Sequence, residues 1–198
     1  MGEPSRPRLD AGPARIGGDG EPEVFVADEQ DDVPLELERW QRLALAVLHD
    51  QGVRGLAELS LIFASPDEMA VLNEQYMGKV GPTDVLAFPL DAHDVTPMVD
   101  VGPTRGPDRA PVDPGDLPLL LGDVVVCPAV ARSQAPDHAG SLDDELALLV
   151  VHGTLHVLGY DHDTDSDTAA MRAAELKILE EHHWRGRAPQ GFRQEHDE

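Results

Sequence analysis

Three histidines in the C-terminal third of the chain have a spacing that can bind one metal ion. His152 and His156 lie four residues apart in a segment whose apolar residues predict a helix, so their side chains stand one turn apart on one face. Gly159 can adopt the left-handed conformation that ends a helix, which lets the chain turn and bring His162 to the same point. Three neutral imidazoles with an open fourth position are typical of a catalytic zinc site. The spacing therefore predicts one zinc ion per chain, bound by His152, His156 and His162.

The residue after the first histidine indicates which reaction such a site could catalyse. The spacing matches the metzincin pattern H-E-x-x-H-x-x-G-x-x-H, but Gly153 stands where those proteases carry a glutamate. A peptidase of that type would lack the group that takes the proton from water. Hydrolysis of a phosphodiester is a candidate instead, because a metal ion can polarise a phosphoryl oxygen and lower the pKa of water toward ~7.

The elements that position these histidines follow from the spacing of the apolar residues. Short apolar runs predict strands, and amphipathic runs with serine or proline at their starts predict helices. The strands are expected at 24–26, 59–63, 85–88 and 119–126, and the helices at 34–50, 66–76, 128–135, 142–158 and 165–183. This interleaving predicts an α+β fold, with a small mixed β-sheet of about four strands packed with about five helices.

Composition limits the possible partners and locations of the protein. The chain has 198 residues and a formal net charge of −23, which excludes nonspecific electrostatic binding of nucleic acid by the surface as a whole. Its single cysteine, Cys127, excludes an intrachain disulfide and cysteine-rich metal sites, and its position near a strand end favours a small core residue. No apolar run approaches the ~20 residues that span a bilayer, and no signal-peptide segment is visible. We expect a cytoplasmic protein with no membrane partner.

The distribution of proline and glycine predicts one folded domain with unstructured additions. Residues 1–22 are rich in Gly, Pro, Arg and Asp without periodicity, as expected of a disordered tail. Residues 91–118 hold six prolines and predict a Pro-rich insertion within the domain. We therefore expect a single catalytic metal-binding domain at 23–183 and a polar C-terminal tail at 184–198.

Three sequence blocks together resemble one known family. Residues 152–162 read HGTLHVLGYDH, residues 82–89 read PTDVLAFP and residues 121–125 read LGDVV. Their order and spacing, with Leu72, Asn73 and Tyr76 upstream, resemble the signature blocks of the YbeY family of bacterial rRNA maturation factors. The resemblance covers about residues 24–180.

This resemblance implies a zinc-dependent, single-strand-specific endoribonuclease with a zincin-like core. It implies a role in maturing ribosomal RNA, notably the 3′ end of the small-subunit RNA, and in ribosome quality control. It implies zinc bound by His152, His156 and His162. The implied partners are single-stranded ribosomal RNA and the pre-ribosomal small subunit, with a small-subunit ribosomal protein and the GTPase Era.

Two further residues are candidates for the catalytic site. Many family members have an arginine after the tyrosine of the upstream block, where this chain has Met77, and a thioether cannot replace a guanidinium at phosphate. Lys79 could supply a positive charge instead, and Arg132 is another possibility. Lys79→Ala is predicted to weaken RNA cleavage more than Met77→Ala. Asp161 precedes the third histidine and could accept a hydrogen bond from an imidazole or serve as a turn residue. The candidate catalytic residues are His152, His156, His162, Asp161 and Lys79.

Two other functions compete with the nuclease interpretation. One is a zinc peptidase-like metallohydrolase, against which Gly153 is the main observation. The other is a non-catalytic ribosome assembly factor, for which normal rRNA maturation is expected when His156 is replaced by alanine.

Overall fold

The computed structural model of the protein describes residues 20–90 and 118–194. Most of the predicted N-terminal tail, nearly all of the Pro-rich insertion and the last four residues of the chain lie outside these ranges. Among the described helices, none is long and apolar enough to cross a membrane.

A mixed sheet of four strands forms the centre of the described structure. The strands are β1 (Glu23–Glu29), β2 (Ala57–Ala64), β3 (Val85–Pro89) and β4 (Leu119–Val126), arranged in the order β1-β2-β4-β3. Strand β2 pairs in parallel with β1 and β4, whereas β3 runs antiparallel to β4 at one edge. The predicted mixed sheet is thereby confirmed.

Five α-helices accompany the sheet across residues 20–90 and 118–194. They are α1 (Leu37–Asp50), α2 (Pro66–Leu72), α3 (Pro128–Gln134), α4 (Leu142–Val157) and α5 (Asp165–Ile178). A π-helical turn continues α2 over Asn73–Met77, and another continues α5 over Leu179–His183. The α+β fold class is confirmed, while the likeness to the zincin core remains a prediction.

Side-chain caps explain where three of the helices begin. Ser65 accepts from the Glu68 amide and Glu68 accepts from the Ser65 amide, which is a capping box in front of α2. The Ser141 hydroxyl accepts from the Asp144 amide at the start of α4, and the Thr164 hydroxyl accepts from the Asp167 amide at the start of α5. The predicted start of α1 was wrong by three residues: the helix begins at Leu37, because its N-cap residue Glu36 has a non-helical backbone with φ −90° and ψ +84°. Ahead of it, residues 30–33 form a hydrogen-bonded loop around the buried Gln30 amide.

Helix α4 is the buried centre of the fold. It packs against β3, β4, α1 and α5, and twelve of its sixteen residues are buried. The larger core lies on its side of the sheet and includes Leu61 and Val124, whereas the smaller core on the other face includes Val125 and Cys127. The prediction that Cys127 is a core residue is confirmed, and burial raises the pKa of its thiol.

Gly153 permits the closest approach between α4 and the sheet. A Cβ atom at this position would lie 2.6 Å from Val124 Cγ1 and 3.2 Å from Val85 Cγ2, and real Cβ atoms essentially never come closer than about 3 Å to another heavy atom. The C-terminal half of α4, which carries the first two histidines, is therefore seated directly on β3 and β4.

The start of α4 is tied to the segment that follows α5. Asp144 Oδ1 accepts from Trp184 Nε1 at 2.6 Å and lies 2.8 Å from His183 Nε2. Burial raises the pKa of Asp144, but the hydrogen bonds from Ser141, Trp184 and His183 outweigh it and hold that pKa below its usual value. Trp184 also packs edge-on against Phe192, with ring centroids 4.7 Å apart. Part of the segment predicted as a polar tail thus packs against the helices.

Candidate metal centre and active site

His152 and His156 project from the last two turns of α4 toward one point. Their Nε2 atoms lie 3.1 Å apart, and their ring centroids lie 4.5 Å apart. His152 is buried and His156 is half-buried. The predicted four-residue spacing therefore places both imidazoles on one face, at the end of the helix that lies on the sheet.

The turn after α4 brings in the third histidine. Gly159 has φ +92°, and the bonds Gly159 N–H to His156 O and Tyr160 N–H to Leu155 O form a Schellman motif. The His162 ring then lies 4.9 Å from that of His156, centroid to centroid. One ligand atom from each of the three histidines lies within 4.8 Å of the others. The predicted convergence of the three residues is present in the structure.

Hydrogen bonds on the far side of two rings define which nitrogens face the centre. His152 Nδ1 lies 2.7 Å from Glu175 Oε1, and His156 Nδ1 lies 2.9 Å from the carbonyl oxygen of Tyr160. Since both partners are acceptors, each Nδ1 carries a proton, and in the neutral form of each ring Nε2 then presents a lone pair. The Tyr160 hydroxyl donates to Gln51 Oε1 at 2.7 Å, which fixes this turn to the end of α1.

The donor set fits a cation. When both rings are neutral with Nδ1 protonated, the two Nε2 lone pairs face each other at 3.1 Å, and a cation between them stabilises this arrangement. Nitrogens bound tetrahedrally to zinc at ~2.0–2.1 Å lie about 3.3 Å from one another, which is close to the observed separation. Among the residues that the structure describes, these three histidines form the group of metal-binding side chains that could hold an ion.

Glu175 is a site residue that sequence reasoning missed. It is 2% exposed, and its second oxygen, Oε2, accepts from Gln194 Nε2 at 3.0 Å. A signal was present, because Glu175 lies four residues after Met171 and three before Ile178, on the buried face of α5. A carboxylate at such a position needs a partner, and the partner is a histidine 23 residues away in the chain.

Asp161 and Lys79 lie at the surface. Asp161 Oδ1 accepts from the backbone N–H of His162 at 2.8 Å, which is a bond within the turn. Lys79 is exposed in the loop after the first π-helical turn, and its backbone N–H contacts the Asn73 carbonyl at 3.4 Å. The catalytic roles assigned to both remain predictions.

A cavity of about 210 Å³ opens beside the histidines. His152 and His162 form one wall, and Thr168, Arg172 and Glu175 of α5 contribute to the other. A small polar ligand entering this cavity contacts the imidazoles directly, so the cavity is a candidate substrate site.

Gly153 leaves no room for a protease-type glutamate. The glycine is buried, and its missing Cβ would contact Val124 and Val85. A side chain at this position would enter the core of the sheet instead of the cavity. The geometry supports the sequence argument against a metzincin-type peptidase.

Comparison with known proteins gives a consistent result. The family model described as Endoribonuclease YbeY matches residues 25–183. The endoribonuclease YbeY of Acidothermus cellulolyticus is 44% identical over 157 residues, covering 79% of this chain and 88% of that protein. The endoribonuclease YbeY of Salinispora tropica is 47% identical over 137 residues, covering 69% and 82%.

A solved structure also shares the fold. The solution structure of TM1509 from Thermotoga maritima has a TM-score of 0.51 and 26% sequence identity. The match covers 82% of this chain and 91% of TM1509.

Proposed function

Because this chain belongs to the endoribonuclease YbeY family, we propose that it is a zinc-dependent endoribonuclease that hydrolyses single-stranded ribosomal RNA. The observation that carries the proposal is the convergence of three imidazoles beside an open cavity. Family membership supports RNA as the substrate class, and the donor set of three histidines supports zinc.

Each residue of the centre has a role in this proposal. His152, His156 and His162 hold the ion through the nitrogens that face one another. Glu175 and the Tyr160 carbonyl hold the first two rings by their opposite nitrogens, which fixes both tautomer and orientation. When bound, zinc supplies Lewis-acid polarisation of a phosphoryl oxygen and acidifies water.

The finer biological role follows the family. We propose that the RNA is the 3′ end of the small-subunit precursor and that the protein contributes to ribosome quality control. A small-subunit ribosomal protein and the GTPase Era are the proposed partners, and they could deliver RNA to a protein whose net charge is −23. Lys79 is proposed to contact the RNA, and Asp161 to support the turn that holds His162.

Metal content and cleavage of the same preparations test the proposal. The wild-type protein is expected to contain about one zinc per chain and to cut a single-stranded RNA faster than the matching duplex. His156→Ala is expected to lose the zinc and to lower cleavage by about 100-fold or more. His49→Ala removes an exposed imidazole on α1 and serves as the matched control. Circular dichroism of each variant separates loss of metal from loss of fold.

Other outcomes favour the competing functions. Turnover of casein without turnover of RNA indicates a peptidase. Full RNA cleavage by a folded His156→Ala protein contradicts the metal mechanism. Normal rRNA maturation in cells carrying His156→Ala indicates a non-catalytic assembly factor.

A further inference from the structure

One face of α5 is directed at the histidine centre. Thr168 Oγ1 donates to the His162 carbonyl at 3.2 Å, and Glu175 contacts His152 Nδ1 at 2.7 Å. Arg172 lies four residues after Thr168 and three before Glu175, so it shares their face of the helix. Its side chain lines the same cavity as His152 and His162.

The Arg172 backbone is held in place while its guanidinium is available. Gln194 Nε2 donates to the Arg172 carbonyl at 2.9 Å, and the same amide group donates to Glu175. The residue is exposed, and across residues 20–90 and 118–194 its guanidinium takes part in no hydrogen bond or ion pair. Some other cations are paired: Arg39 contacts Asp143 at 2.9 Å and Lys177 contacts Asp50 at 2.6 Å.

The charge around the cavity makes this arginine important for a polyanionic substrate. Exposed Asp161 and Asp163 flank His162 and repel phosphate. Within the described part of the cavity wall, Arg172 is the residue with a permanent positive charge. Guanidinium donors match the oxygens of a phosphate bidentately. The cavity of about 210 Å³ is smaller than the ~300–1,000 Å³ typical of drug-sized ligands, which favours a phosphate group over a whole nucleoside.

We propose that Arg172 binds a backbone phosphate of the RNA next to the one that is cleaved, and thereby positions the strand at the histidine centre. The inference rests on the proposed nuclease function and adds a substrate-binding residue to it. The arginine expected in the upstream block is Met77 in this chain, so a guanidinium from α5 supplies phosphate recognition from a different element.

The test uses the full-length zinc-loaded protein and a single-stranded oligoribonucleotide over a series of KCl concentrations. For Arg172→Ala we expect KM to rise about tenfold with kcat within about twofold, because uniform binding is lost. The slope of log(1/KM) against log[KCl] should decrease in magnitude by ~0.7, the value for one phosphate of a single strand. Arg172→Lys should keep the slope and recover only part of the affinity.

Arg187→Ala is the matched control, because Arg187 is exposed and lies outside the cavity wall. Zinc content is measured on every variant. If Arg172→Ala has the KM and salt slope of the wild type while the wild type cleaves RNA, the role of Arg172 is refuted and the nuclease function stands. If Arg172→Ala loses zinc or fold, the residue is structural and the proposal is also overturned. If the zinc-loaded wild type does not cleave RNA, both proposals fail.

Discussion

Replacing Glu175 with glutamine keeps the size of the side chain and removes half of its accepting capacity. The carboxylate accepts on both sides, from His152 at 2.7 Å and from Gln194 at 3.0 Å. An amide has one accepting oxygen and one donating nitrogen. In Glu175→Gln, either His152 or Gln194 must therefore face an N–H group instead of an acceptor.

The expected cost follows from this geometry. Glu175 is 2% exposed, so bulk water has little access to replace the lost acceptor. Substitution of a residue that holds a metal-binding histidine typically weakens metal affinity by ~10–100-fold, which corresponds to about 1.4–2.7 kcal/mol. The lower figure is expected if the glutamine oxygen stays on His152, and the higher one if it turns toward Gln194.

The assay is a zinc titration in competition with a chromophoric chelator. Glu181→Gln is the matched control, because this substitution removes the same charge from an exposed side chain. Glu175→Gln should bind zinc at least tenfold more weakly than the wild type, and Glu181→Gln should not. A zinc Kd within twofold of the wild type in folded Glu175→Gln would refute the argument that this carboxylate orients His152.

Three more predictions concern other parts of the molecule. Asp144→Asn should lower the free energy of unfolding at pH 7 by about 1–3 kcal/mol relative to the wild type, and so lower the melting temperature. Because the folded-state pKa of Asp144 is lowered, this stabilisation is present above the unfolded-state pKa of ~3.9 and is lost as the pH falls through the folded-state pKa. A difference that stays constant from pH 7 to pH 3 would contradict that pKa. Cys127 should react with a thiol reagent only after unfolding, because it is fully buried, and rapid labelling of the native protein would argue against the packing. Lys79→Ala should raise the KM for single-stranded RNA several-fold while Met77→Ala has a smaller effect; equal or reversed effects would remove Lys79 from the RNA site.

Local signals predicted most of the elements, and contacts distant in the chain account for what was missed. The caps at Ser65 and Ser141 and the i, i+4 pair of histidines act within one helical turn, so their consequences can be predicted from the sequence. The bond between His152 and Glu175 depends on how α5 crosses α4. No periodicity in either helix contains that information.

The spacing of apolar residues also could not predict the π-helical turns at the ends of two helices. The predicted helices over 66–76 and 165–183 each end in a π-helical turn. Apolar spacing does not distinguish a π turn from an α turn at a helix end, because the two differ by one residue per hydrogen-bonded loop. Gly122 is a related case, because the strand predicted over 119–126 contains a backbone φ of +144° at this residue, where β4 shifts its register against β2.

The contact between Gly153 and Val124 also limits the evolutionary routes open to this site. A glutamate at 153 is the single change that would restore the metzincin pattern, yet its Cβ alone would lie 2.6 Å from Val124 Cγ1. The substitution would force Val124 and Val85 or the helix itself to shift before any new activity could be selected. A smaller residue at 124 would have to be fixed first, and by itself it leaves a cavity that costs stability. The two changes are thus epistatic and must occur in order, which separates this nuclease lineage from a peptidase by more than one mutational step.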